Sequence, residues 1–295
     1  MKTQTFGIEI ELTGLTRKAA ANTVAGYFGT TEEYIGGHYD AYQVRDNRGR
    51  AWKLMSDSSI RPECRRGTAT SEHKVELVSP ICRYEDIETV QEIIRKLRKA
   101  GAKANQSTGI HIHIGLDEHT PQTLKNLANI VASKEDLICK ALAVGSNRST
   151  YCQKADEDFI SDLNRKKPTS MTGLADIWYA KYRGESRSAH YNSSRYRLLN
   201  YHSVFTKGTV EFRVFNSTTH AGKIKAYIQF CLAISHQALT QRSASSRKTM
   251  TTNEKYTFRT WLLRLGLIGD EFKTARLHLL ANLEGDIAWR NGEAA

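Results

Sequence analysis

The stretch GIHIHIG at residues 109–115 decides the fold class, because its apolar and polar residues alternate strictly. The same alternation is present in FGIEIEL (6–12) and in TVEFRVF (209–215). A period of two residues predicts a β-strand with one apolar face and one polar face. The polar faces of these strands carry glutamate, histidine and arginine. They lack the mixture of lysine, threonine and serine that is typical of a solvated sheet.

Amphipathic helices are predicted between these strands, because apolar residues recur at helical spacing in residues 84–97, 120–142 and 221–239. The first helix is expected to end at Gly101. The second is expected to begin at Thr120, which is followed by a proline suited to the first turn.

Two hairpins are predicted within residues 38–80. In the first, residues 42–44 and 52–54 flank an Asp-Asn-Arg-Gly turn. In the second, residues 60–64 and 74–78 flank a loop around Gly67. Strands and helices in this order predict an α+β fold, in which helices cover the apolar face of a largely antiparallel sheet.

A polar, turn-prone stretch follows Gln241 and predicts a domain boundary. We therefore expect a main domain at residues 1–242 and a helical C-terminal extension at 243–295. Helices are predicted within the extension at residues 256–265 and 270–283.

The composition favours anionic partners. Forty-three Lys and Arg against 31 Asp and Glu give a net charge of +12, which suits nucleotides, nucleic acid or acidic substrates. Five cysteines without C-x-x-C spacing indicate free thiols in a reducing compartment. Without a signal sequence or an apolar stretch of membrane-spanning length, the expected location is the cytoplasm, with no membrane partner.

Glutamates and histidines share strand faces in two of the alternating segments. Glu9 and Glu11 lie side by side on one face, so they would repel each other unless a cation lay between them. The alternative is an exposed edge strand with two solvated glutamates. His111 and His113 also share a face, and neutral imidazole suits divalent metals. The alternative is a pair of surface histidines.

Further carboxylates and arginines complete a possible metal and phosphate site. Glu211 and Arg213 share a strand face, Glu76 alternates with apolar residues, and Asp57 is either a ligand or a plain turn residue. Oxygen ligands with an imidazole suit Mg²⁺ or Mn²⁺. Complementary arginines for an anion are Arg195, Arg197 and Arg213. Metal ligands with arginines favour phosphoryl chemistry. The Walker, Rossmann, H-E-x-x-H and G-x-S-x-G motifs are absent from the sequence.

Six short motifs, taken in order, resemble the amidoligase family of glutamine-synthetase-like carboxylate–amine ligases. The motifs are FGIEIEL, the Asp57-x-Ser59 turn, VELVSP (75–80), GIHIHIG, RYRLLN (195–200) and GTVEFRVFNST (208–218). The resemblance covers roughly residues 5–240 and implies a curved, largely antiparallel sheet with helices on its convex face. It also implies ATP, two or three Mg²⁺ or Mn²⁺ ions, and an amide bond made through an acyl phosphate. Such enzymes come mostly from bacteria, phages and mobile elements.

The resemblance also implies roles for individual residues. The expected metal ligands are Glu9, Glu11, Asp57, Glu76, His111 and Glu211. The expected ATP-binding residues are Arg213, His111, Arg195 and Asn200. The catalytic candidates are Arg195, Arg197, Arg213 and His113, and either Arg195 or Arg197 faces the pocket. The substrates would be a carboxylate and an amine from small molecules, amino acids or peptides.

Two other functions are compatible with the same residues. The first is a metal-dependent phosphotransferase or hydrolase, because metals and arginines alone do not separate these reactions from a ligase. The second is a basic nucleic-acid-binding module, which the net charge and the Tyr- and Arg-rich residues 179–201 favour. Carboxylates on its binding face would repel phosphates, so this function ranks last.

Overall fold

The structure is a computed structural model that describes residues 1–145, 148 and 150–288. The chain divides into two compact units. We call residues 2–112 and 215–228 the N-terminal unit. The C-terminal unit comprises Met1, residues 113–214 and the chain from residue 229 onward.

The N-terminal unit is built on antiparallel strands. The strands are β1 (Phe6–Leu12), β2 (Glu32–Gly36), β3 (Ala41–Arg45), β4 (Ala51–Met55), β5 (Val75–Val78) and the first residues of β6 (Gly109–Gly115). They follow the order β2-β3-β4-β5-β1-β6. Each pairing from β2 through to β1 is antiparallel. The alternating pattern of β1 therefore lies inside a sheet, where its apolar residues are buried.

Two helices complete the core of this unit. They are α1 (Arg17–Phe28) and α2 (Ile87–Ala100), which pack against each other, and α1 also contacts β3 and β4. The apolar stripe of α2 is fully buried at Val90, Ile94 and Leu97. As predicted, the helix ends at Gly101, whose φ of 111° lies in the left-handed region that favours glycine.

The first predicted hairpin is confirmed and the second is wrong. Strands β3 and β4 pair around the Asp-Asn-Arg-Gly turn. Residues 60–64 form no strand, because Pro62 has no backbone N–H and its neighbours bond elsewhere. The Arg61 N–H donates to Ser107 Oγ at 2.8 Å, and the Glu63 N–H donates to Thr13 Oγ1 at 2.7 Å. Strand β5 instead pairs with β4 and β1.

The C-terminal unit contains strands in the order β6-β8-β7 and most of the helices. Its strands are the last residues of β6, β7 (Leu199–Asn200) and β8 (Thr209–Asn216), of which β7 and β8 are antiparallel. Its helices are α3 (Pro121–Ala141), α4 (Glu157–Lys166), α5 (Met171–Trp178), α6 (His202–Thr206), α7 (Ala221–Thr240) from residue 229, α8 (Glu254–Arg264) and α9 (Lys273–Leu280). The predicted N-cap of α3 is confirmed, since Thr120 accepts a bond from the Thr123 N–H. Helices and an antiparallel sheet make the fold class α+β, as predicted.

The polar stretch after α7 is bound to polar side chains of α3. Asn126 donates to the carbonyl of Gln241 at 2.7 Å, and Asn129 donates to that of Ala244 at 3.0 Å. The proposed division at residue 242 stays a prediction, and the end of the predicted extension, 289–295, lies outside the described residues. Of the helices that the structure describes, none combines the length and apolar character needed to cross a membrane.

Candidate active site

Three carboxylates and a histidine of the N-terminal unit come from adjacent strands. Glu9 and Glu11 lie on β1, between β5 with Glu76 and β6 with His111. The antiparallel register sets Glu11 directly opposite Glu76, so their side chains share one face of the sheet. Like charges directly opposite each other are destabilising by themselves. This register indicates a place where a cation would be stabilising.

These residues and Asp57 form two overlapping sets of potential metal ligands. One ligand atom each from Glu9, Glu76 and His111 lies within 4.8 Å of the others, and the same holds for Glu11, Asp57 and Glu76. Glu76 belongs to both sets. We call the five residues the acid group.

Burial and hydrogen bonds orient the side chains of the acid group. Glu11, Glu76 and His111 are all buried. The Gly109 N–H donates to Glu11 Oε2 at 2.6 Å, and His111 Nδ1 lies 3.1 Å from Glu9 Oε2. Asp57 is both the predicted turn residue and a member of the group, since Ser59 donates to its Oδ1 from both N and Oγ.

The acid group fits divalent cations of the Mg²⁺ and Mn²⁺ type. Ligands on opposite sides of one ion lie about 4 Å apart for Mg²⁺, and up to about 5 Å for larger hard cations. The ligand atoms of each set lie no more than 4.8 Å apart, which is compatible with these distances. Four carboxylates with one imidazole suit hard cations, whereas structural zinc prefers cysteine and histidine.

The C-terminal unit holds a second polar group around Glu211 on β8. Arg213 Nη1 donates to Glu211 Oε1, and Asn200 Nδ2 donates to Glu211 Oε2 at 2.6 Å. His113 Nε2 lies 4.0 Å from Glu211 Oε1, and His113 Nδ1 lies 2.9 Å from Thr209 Oγ1. Asn200 is opposite Glu211 in the register of β7 and β8. The structure thus brings four predicted site residues of this unit together.

Arg195 and Arg197 have different surroundings. Arg197 Nη2 donates to Asp156 Oδ2 at 2.9 Å, and its Nη1 donates to the carbonyl of Lys154 at 3.0 Å. The Arg195 guanidinium lies 5.7 Å and 5.9 Å from the ring centroids of Tyr191 and Tyr196. Arg197 is therefore held in an ion pair, while the Arg195 guanidinium lies near two aromatic rings.

A buried chain of hydrogen bonds, which no sequence motif predicts, continues from Asn200. Asn200 Oδ1 accepts from the His202 N–H at 2.8 Å, and His202 Nδ1 lies 2.6 Å from the Tyr179 hydroxyl. Burial lowers the pKa of His202 and raises the pKa of Tyr179 to about 12, so both are neutral at pH 7. Tyr179 and His202 are separated in sequence by 23 residues without a shared motif, so only the fold reveals the contact.

Several cations of the Tyr- and Arg-rich stretch are neutralised locally. Lys181 pairs with Asp156 and Asp158, and Arg187 pairs with Asp176. These ion pairs reduce the local positive charge that favoured a nucleic-acid-binding module.

A comparison with protein-family models agrees with the amidoligase resemblance. Residues 2–235 match the model of the family described as "Putative amidoligase enzyme". Among solved structures, a bifunctional glutathione synthetase from Pasteurella multocida is similar to the chain, with a TM-score of 0.45 and 13% identity. The complex between the prokaryotic ubiquitin-like protein Pup and its ligase PafA is also similar, with a TM-score of 0.36 and 12% identity.

The two structures are longer than this chain. Each comparison covers 94% of this chain, but only 46% of the glutathione synthetase chain and 61% of the chain from the Pup–PafA complex. No curated protein matches the sequence. The family model covers most of the sequence, from its second residue to within α7, and this chain therefore belongs to the amidoligase family.

Proposed function

We propose that this chain is an ATP- and divalent-metal-dependent ligase that joins a carboxylate to an amine. The observation that carries the proposal is the acid group, in which Glu76 belongs to two sets of potential ligands. An enzyme that brings ATP and a carboxylate together must neutralise several negative charges at once. Two neighbouring cation sites that share one carboxylate would meet this requirement.

The acid group would hold the metal ions, with Glu9, Glu76 and His111 in one set and Glu11, Asp57 and Glu76 in the other. When bound, the ions would supply positive charge that stabilises phosphate oxygens. Gly109 would keep Glu11 in place through its N–H donor. That each of these carboxylates binds metal is part of the proposal.

Arg213 would act on anionic oxygens of the nucleotide or the acyl phosphate. Arg213 is buried, with 6% of the residue exposed, and its guanidinium donates to Glu211. The orientation of the guanidinium is therefore fixed before a substrate binds. Arginine suits phosphate because its planar group offers several N–H donors. Asn200 would fix Glu211 from the other side, while the His113 imidazole would lie beside Glu211.

The proposed reaction has two steps whose atoms balance. A carboxylate oxygen attacks the γ-phosphorus of ATP, which forms an acyl phosphate and releases ADP. The amine nitrogen then attacks the acyl carbon, the C–O bond to phosphate breaks, and the amide forms with release of phosphate and one proton. The chain would have to bind an amine that can lose this proton.

The test is an incubation of the purified protein with ATP, Mg²⁺ and panels of carboxylates and amines. The proposal predicts ADP, phosphate and an amide in equal amounts, and it predicts no turnover without Mg²⁺. AMP with pyrophosphate would contradict the acyl phosphate. A phosphorylated product without an amide would favour a phosphotransferase, and turnover without nucleotide would favour a hydrolase.

A further inference from the structure

Two buried side chains of the C-terminal unit, Tyr179 and His202, form a contact that has no part in the proposed reaction. The Tyr179 hydroxyl lies 2.6 Å from His202 Nδ1, and the two rings meet edge to face with centroids 5.8 Å apart. Both residues are buried. Buried polar atoms cost free energy unless each has a partner, so their other partners show what this contact holds in place.

The other partners are backbone carbonyls of residues 186–192, which form neither helix nor strand and which we call the 186–192 loop. His202 Nε2 lies 3.0 Å from the carbonyl oxygen of Ala189, and the Tyr179 hydroxyl lies 3.3 Å from that of Arg187. A carbonyl oxygen only accepts, so Nε2 carries the proton of the neutral ring. Nδ1 therefore accepts from the Tyr179 hydroxyl. This tautomer ties the loop to α6, which begins at His202.

The 186–192 loop also positions Arg195. Arg195 Nη1 donates to the carbonyl of His190 at 2.8 Å, and the Arg195 guanidinium lies 5.7 Å from the ring centroid of Tyr191. His190 directly follows Ala189, the residue that the His202 ring binds. The place of the Arg195 guanidinium therefore depends on the bond between His202 and Ala189.

The backbone of His202 is bound to the polar group around Glu211. Its N–H donates to Asn200 Oδ1 at 2.8 Å, and Asn200 Nδ2 donates to Glu211 Oε2 at 2.6 Å. Glu211 in turn accepts from Arg213. Burial lowers the pKa of the His202 ring, the charge of Arg195 lowers it further, and the charge of Glu211 raises it. Both charged groups therefore lie within electrostatic reach of the ring.

We propose that His202 is a positioning residue, which holds Arg195 in a fixed place relative to Glu211. Tyr179 supports the His202 ring through Nδ1. Arg195 would then join Arg213 in binding anionic oxygens of ATP, and two guanidinium groups fixed in advance bind phosphate at a smaller entropic cost. The contact of Arg195 with ATP rests on the proposed ligase function. The hold of His202 on the loop does not.

Two substitutions separate the two nitrogens of the His202 ring. The side chain of His202→Gln reaches the position of Nε2 and can still donate to Ala189. The side chain of His202→Asn ends near the position of Nδ1, so it keeps a partner for Tyr179 and releases the loop. Amide hydrogen exchange of residues 186–195 without ATP or metal should be about tenfold faster in His202→Asn and unchanged in His202→Gln. Equal exchange in the two variants would overturn the inference.

Controls separate release of the loop from general loss of stability. Exchange in α3 reports global unfolding and should be unchanged. Tyr179→Phe removes only the hydroxyl and should raise exchange of the loop by a smaller factor, about threefold. The matched control is His119→Asn, because the His119 ring bonds to Thr123 and Ser235 instead. It should leave exchange of the loop unchanged, and faster exchange there would contradict a specific role for His202.

A double-mutant cycle tests whether His202 acts through Arg195. His202→Asn and Arg195→Ala should each weaken binding of a non-hydrolysable ATP analogue with Mn²⁺ about tenfold. The double variant should bind no more weakly than Arg195→Ala alone, because the loop then has no guanidinium to position. His202→Gln should retain the affinity, and affinity for Mn²⁺ alone should be unchanged in every variant. Additive losses, or a loss of Mn²⁺ affinity, would contradict the positioning role.

The two measurements distinguish failure of this inference from failure of the proposed function. If the unchanged protein binds no ATP analogue, the ligase proposal fails, and exchange of the loop decides whether His202 holds it. If the analogue binds but the losses in the cycle add, the positioning role fails while the ligase proposal stands.

Discussion

The acid group of the N-terminal unit and the carboxylates of Asp156 and Asp158 in the C-terminal unit differ in the groups that surround their negative charges. We call Asp156 and Asp158 the Asp156 cluster. In the acid group, four carboxylates and one histidine supply ligand atoms a few ångströms apart. In the Asp156 cluster, the carboxylates of Asp156 and Asp158 are paired with Lys181 and Arg197. The difference teaches that carboxylates can gather around cations of the same chain, as at Asp156, or bring their ligand atoms close enough together to share one ion, as in the acid group.

The largest expected effect comes from Glu76, which belongs to both ligand sets. Glu76→Gln should abolish ATP turnover and weaken binding of both ions by about two orders of magnitude. Asp57 belongs to one set only, so Asp57→Asn should weaken the binding of one ion. Titration with Mn²⁺ followed by electron paramagnetic resonance measures both. If Glu76→Gln bound as many Mn²⁺ ions as the unchanged protein does, the acid group would not differ from the Asp156 cluster by being a metal site.

Arg213 tests a buried ion pair against a more exposed one. Arg213→Ala should lower the free energy of unfolding by about 3 kcal/mol, because Glu211 would be left buried without its guanidinium. Arg197→Ala should cost about 1 kcal/mol, because its pair with Asp156 is more exposed. Urea unfolding of both variants measures the difference, and equal losses would contradict it.

Arg213→Lys keeps the charge and removes the planar fork, so it separates phosphate recognition from stability. It should impair ATP use more than Mn²⁺ binding. Measured KM for ATP and Mn²⁺ affinity, taken on the same samples, check this. Equal loss of both would argue against a phosphate contact.

Glu11 tests whether the acid group costs stability when no metal is present. Glu11→Gln retains an oxygen that can accept the Gly109 N–H, but it removes one charge from opposite Glu76. We expect the free energy of unfolding of the metal-free variant to be higher by about 0.5–1 kcal/mol, because the repulsion between Glu11 and Glu76 is removed. Urea unfolding in the presence of a chelator measures this. A loss of stability would mean that Glu11 has a structural role.

Replacing Asp156 should have a small effect that depends on pH. Burial alone would raise its pKa, but the bond from Lys181 and the Phe159 N–H outweigh burial, so the pKa lies below its ordinary value of 3.8. A lowered carboxyl pKa contributes stability above pH 3.8, which is lost as the pH falls through the folded-state pKa. Asp156→Asn keeps a good N-cap and should cost about 1 kcal/mol at pH 7. In urea unfolding the difference should vanish in strong acid, and a constant difference would contradict the charge pairing.

The strands and most helices could be predicted because their signals are local. Period two in β1 and β8 and the apolar stripe of α2 are visible in a few consecutive residues. The second hairpin was wrong because Arg61 and Glu63 bond to side chains far along the chain. Such competition leaves no trace in a short window of sequence.

The candidate site was predictable in its residue types and less so in its contacts. The same-face rule grouped Glu9 with Glu11 and His111 with His113, but it did not reveal which strands are neighbours. The contact of Arg197 with Asp156, 41 residues away, depends on the packing of the C-terminal unit. For the predicted metal ligands, the structure shows that their ligand atoms lie close together, and their role in binding metal stays a prediction.

The most direct measurement is a crystal structure with Mn²⁺ and a non-hydrolysable ATP analogue, recorded at a wavelength where manganese scatters anomalously. We expect one anomalous peak from an ion bound by Glu9, Glu76 and His111. We expect a second peak from an ion bound by Glu11, Asp57 and Glu76. Manganese peaks remote from these side chains, with the carboxylates free of metal, would contradict the account.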